Sequence, residues 1–72
     1  MTGTANAVRW PIEPLLAVTG RPSAARLAVR LNVNARTIWR WHHRGLTDHQ
    51  ADRAAIAIDM HPANIWPDWF NA

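Results

Sequence analysis

A chain of 72 residues without a cysteine is one domain, close to the size at which a single apolar core is only marginally stable. The missing thiols exclude a disulfide-stapled secreted mini-protein and any thiolate zinc site, while a hydrophobic content of 49% permits a packed core and argues against wholesale disorder. The formal charge is only +3, and so short a chain has little wall from which to build a buried catalytic pocket, so the expectation is a binding protein and not an enzyme.

The charge is unevenly placed. Residues 1–44 hold seven arginines (Arg9, Arg21, Arg26, Arg30, Arg36, Arg40 and Arg44) against Glu13, a balance of +6. Residues 45–72 hold Arg53 against Asp48, Asp52, Asp59 and Asp68, a balance of −3. Such polarity suggests a basic face for a polyanion and an opposite face kept neutral or acidic; the alternative is a solvated basic surface with no partner.

Taken in chain order, residues 1–9 are expected to be a flexible tail, and residues 10–72 a single domain. Trp10-Pro11 opens the folded part. Ile12, Leu15, Leu16 and Thr19 recur at helical spacing, prolines are tolerated near a helix start, and Gly20 with Arg21-Pro22 ends this first helix. Ser23 caps a second helix over 24–31, with Leu27, Ala28 and Leu31 inward and Arg26 and Arg30 outward. Asn32-Val33-Asn34 interrupts it: Asn32 tolerates the left-handed conformation, Val33 is an apolar plug, and Asn34 caps the third helix, 35–44, which Gly45 ends. Thr47 and Gln50 form a capping box for a fourth helix reaching about Asp59, with Ala51, Ala54, Ala55 and Ile58 inward. Pro62 opens a last turn that Pro67 stops, so residues 62–70 form a C-terminal aromatic segment. No stretch alternates with period two, so no strands are expected and the fold class is all-α, with four to five helices.

Two short helices joined by a three-residue turn make a helix-turn-helix over 23–45. At about 100° per residue, Ile38 centres the inner stripe of the third helix, with Trp41 and Ala35 about 60° to either side. Arg36, Arg40 and His43 fall near the opposite pole, with Arg44 not far beyond. Exposed helix faces usually mix charge signs, whereas a wholly basic one suits a DNA major groove, where Arg bonds guanine O6 and N7 in pairs. The expected base-reading residues are therefore Asn34, Arg36, Thr37, Arg40 and His43. Ser23, Arg26, Arg30, Trp39 and Arg44 are expected at the phosphate backbone.

The sequence resembles the short helix-turn-helix regulators of actinobacteria and their phages. The likeness runs over 27–69 and rests on Leu27-Ala28, Leu31-Asn32-Val33-Asn34, Thr37-Ile38-Trp39-Arg40-Trp41, Arg44-Gly45-Leu46-Thr47, Gln50-Ala51-Asp52-Arg53, Ala57, His61-Pro62, Ile65-Trp66-Pro67 and Trp69. The Ile65-Trp66-Pro67 ending is also similar to that of Ner-type phage repressors. The resemblance implies a λ-repressor-like domain binding operator DNA as a repressor or Cro-type regulator. It departs at Asn32, where glycine is commoner, and at Asp59-Met60 in place of Leu-Gly, which implies a less sharply bent approach to the last turn.

The remaining residues add less. His42 and His43 diverge on a helix and His49 and His61 lie elsewhere, so no metal site and no cofactor are expected. His43 on the basic face is instead a candidate for making DNA affinity depend on pH. No nucleophile–base pairing is readable. Trp66, Trp69 and Phe70 either fold back to seal the core, against Trp10 or the first helix, or form a patch for dimerisation or cooperative binding. No apolar run approaches the roughly 18 residues of a membrane span, and the first residues lack the apolar stretch of a signal peptide. The expected location is cytoplasmic, nucleoid-associated in a bacterium or in the host if phage-encoded. An excisionase-type recombination factor shares the same DNA chemistry, and a helical protein-interaction module of the antitoxin kind is the rival from another class.

Overall fold

The computed structural model describes residues 9–71; apart from Arg9, the tail expected over 1–9 lies outside the described residues. Five helices follow in chain order: α1 (Glu13–Val18), α2 (Ala24–Leu31), α3 (Ala35–Arg44), α4 (Asp48–Ala57) and α5 (Pro62–Ile65). The domain is all-α. Among the described residues the only strand-like feature is an isolated antiparallel bridge between Trp10 and Leu46.

All the helix starts but that of α1 are written into capping side chains. Ser23 Oγ accepts the Arg26 amide at 3.2 Å and Asn34 Oδ1 accepts the Arg36 amide at 2.8 Å, each satisfying a donor that the first turn leaves unpaired. At α4 both halves of the capping box form: Thr47 Oγ1 accepts from the Gln50 amide and Gln50 Oε1 from the Thr47 amide. His61 plays the same part for α5, its Nδ1 accepting the Ala63 amide at 3.0 Å.

Three helices end alike. At Gly20, Asn32 and Asp59 the backbone turns left-handed, with φ of 82°, 57° and 61°. In each case the next residue's amide bonds back five residues, Arg21 to Leu16, Val33 to Ala28 and Met60 to Ala55, at 2.8 to 2.9 Å. This is the Schellman closure, which Asn and Asp enter at less cost than other side-chain-bearing residues. The left-handed Asp59 corrects the expectation of a blunted approach to α5, because the carboxylate residue makes the reversal itself. The reversal also ends α4 at Ala57, two residues short of the expected limit.

α2 packs on α3, α4 on α2 and α5, and α1 on α5. Leu15, Leu27, Ile38 and Leu46 are fully buried between them, together with Ala28, Ala51, Ala54 and Ala55. The alanines let backbones approach closely, and the large aliphatics, worth about 1.5–3 kcal/mol each when fully buried, fill the centre. Val33 packs against this core from the turn. Ala35 departs from the expected stripe and is exposed. It is the first residue of α3, where a Cβ tilted toward the helix N-terminus points past the end of the helix.

The two ends of the described chain close over one another. Trp66 is buried and donates its Nε1 to the Pro11 carbonyl at 2.8 Å. Trp10 lies 6.1 Å from Trp66 and 5.0 Å from Trp69 between ring centroids, and its own Nε1 donates to Asp48 Oδ1 at 2.7 Å. Each indole thus buries its body and satisfies its N–H.

Candidate nucleic-acid interface

α3 is held from both sides. Its inner residues Ile38 and Trp41 are buried, so the rotation of the helix about its axis is fixed and the opposite side must face outward. The turn at 32–34 anchors its start through the Asn34 cap and the Val33 plug. Its end is clamped where Trp10 and Leu46 exchange backbone hydrogen bonds at 2.8 and 2.7 Å.

On the outward side, Arg36, Trp39, Arg40, His43 and Arg44 line one shallow depression, and all five are exposed. Trp39 stands 64% exposed with its ring 4.3 Å from that of His43, which gives the basic face a flat aromatic element. The one ion pair among the described residues joins Arg21 to Glu13 at 3.1 Å. No carboxylate of the described chain therefore neutralises Arg36, Arg40 or Arg44, and neighbouring like charges set only by helix spacing repel one another. Such a surface is better complemented by an external anion than by water alone.

The other residues singled out from the sequence are distributed differently. Arg26 and Arg30 share an exposed surface of α2 with Thr19, Pro22, Ala25 and Val29, which is not part of the α3 face. Val29 is 82% exposed. Asn34 spends its side-chain oxygen on the α3 cap, leaving its amide NH₂ as the group available to an outside acceptor. Ser23 likewise uses its oxygen as a cap, and its hydroxyl proton stays free. Thr37 is half-buried and turns into a groove shared with Val33, His49, Gln50 and Arg53, so it is not gathered with Arg36 and Arg40.

The aromatic C-terminus divides. Trp66 is 2% exposed and seals the core, the first of the two roles expected of it, so it is not part of an exposed adhesive patch. Trp69 is half-buried against that core. Phe70 alone is open, 76% exposed and 5.6 Å from the His61 ring.

No group of three or more His, Cys, Asp or Glu able to hold a metal occurs among the described residues, and no helix is long and apolar enough to cross a membrane. Fold and surface together define a small all-α domain displaying one basic helix. The chain matches no family model, no curated protein and no solved structure.

Proposed function

We propose that this chain is a sequence-specific double-stranded DNA-binding regulator, in the manner of the short helix-turn-helix repressors it resembles, and that α3 is its reading helix. The observation that carries the reading is the Arg36–Arg40–His43–Arg44 face: exposed, free of carboxylate partners and fixed outward by the burial of Ile38 and Trp41. A helix about 15 Å long fits a major groove about 12 Å wide with its two ends at the phosphate rims. Arg36 and Arg40, one turn apart, then point at base edges, with the Asn34 amide beside them at the leading end. Arg26 and Arg30 on α2 face the flanking backbone, where they add affinity without selecting sequence.

One such module covers few base pairs, so two or more copies bind together on a site, with Phe70 and the open edge of Trp69 as an apolar surface for contact between them. Selection of bound duplexes from a random pool tests the reading. A recurring motif, as a palindrome or a direct repeat, supports it; a pool that stays random at moderate salt overturns it.

A further inference from the structure

Beside the reading face, a second cleft opens at the far end of α3, lined by Arg9, Pro11, Ile12, Glu13, Trp41, His42, Arg44 and Gly45. Arg9 reaches this place through the backbone. The paired hydrogen bonds of Trp10 and Leu46 draw the incoming segment across the end of α3, so closely that a Cβ on Gly45 would stand 2.8 Å from the Trp10 carbonyl oxygen and 3.3 Å from the Arg9 Cβ. Residues 35 positions apart are thereby set side by side, and Arg9 joins Arg44 and His42 around one concavity. The single carboxylate there, Glu13, is engaged by Arg21, so the positive charge of Arg9 and Arg44 is not balanced within the cleft. Arg44 borders both this cleft and the reading face, which makes the two surfaces continuous.

We infer that this cleft is a phosphate-binding site, with Arg9 and Arg44 as the principal contacts and His42 beside them, occupied by a backbone phosphate of the bound duplex. The inference rests on the DNA reading above and adds to it a contact from outside the helix-turn-helix. With α3 across the major groove, its C-terminal end lies at one rim, where a phosphate strand passes. An arginine whose backbone is tethered there by the Trp10–Leu46 clamp meets that strand without having to order a long segment on binding, so less entropy is lost.

The test is the salt dependence of duplex binding by the full chain and by Arg9→Gln, using the duplex best enriched from the random pool and an unrelated one. The Arg9 side chain is exposed, so the variant should melt at the temperature of the unaltered chain. Losing one phosphate contact lowers the slope of log affinity against log salt by about one. The deficit of the variant then shrinks by about threefold between 50 and 200 mM salt, and it is the same for both duplexes. An unchanged slope in a folded variant overturns the phosphate site and leaves the reading helix standing. Failure of the unaltered chain to retain any duplex overturns both.

Discussion

Gly45 is the residue on which the placing of α3 turns. Its φ of 74° lies where side chains are strained, and the Trp10 carbonyl occupies the space a methyl group needs. Gly45→Ala must therefore open the Trp10–Leu46 bridge as well as strain the turn. The expected cost is about 2 kcal/mol or more, read as a lowered midpoint in chemical denaturation. Gly20 is the useful contrast, since nothing lies within 4 Å of a Cβ built there and alanine pays only for its left-handed φ. A Gly45→Ala protein as stable as the parent contradicts the clamp. Gly45 was readable in the sequence as a helix stop, but its second duty was not: the neighbour that forbids a side chain comes from residue 10, and no local pattern announces a contact across 35 residues. The burial of Leu46 is illegible for the same reason, because a lone Leu in a loop has no period to declare which way it faces.

At the scale of the helices, the two arginine-bearing elements are expected to fail differently. Arg36→Ala should cost about 1–3 kcal/mol on the preferred duplex and blur selection at one base position. Arg26→Ala, on the outer surface of α2, should weaken all duplexes alike and reduce the salt slope by about one. Competition between the preferred duplex and a scrambled one separates the two: the ratio of affinities falls for Arg36→Ala and holds for Arg26→Ala. A ratio unchanged in both variants removes α3 as the reading helix. These helices were legible almost residue by residue, since α2 and α3 span the expected 24–31 and 35–44. Their limits are set by Ser23, Asn32, Asn34 and Gly45, whose backbone and capping preferences act within one turn and need no tertiary help. Trp39 was less legible. Its position about 100° from Ile38 places it at the border between core and solvent, and only the path of the neighbouring helices leaves it open beside His43.

Across the whole molecule, stability depends on the meeting of the two ends. Trp66 fills the space between α5 and the Trp10-Pro11 segment, its N–H satisfied by the Pro11 carbonyl, and Trp10 in turn ties down the start of α4 through Asp48. Removing a buried Trp costs about 3–5 kcal/mol, comparable to the whole of what a single core supplies at this size. Trp66→Ala, or truncation after Pro62, which also removes Ile65, is therefore expected to abolish cooperative unfolding and most of the helical signal. Phe70→Ala deletes a ring that is already in solvent and should leave the melting midpoint within the small range of surface substitutions, about 0.5 kcal/mol. The pair tests two roles for one aromatic segment. If Phe70 is the contact between neighbouring copies, its variant folds normally, binds a single half-site as before, and loses only the cooperative gain on a duplex carrying two. A Phe70→Ala protein that binds two half-sites as cooperatively as the parent excludes that surface, while a Trp66→Ala protein that still melts sharply shows that the core closes without its C-terminal seal.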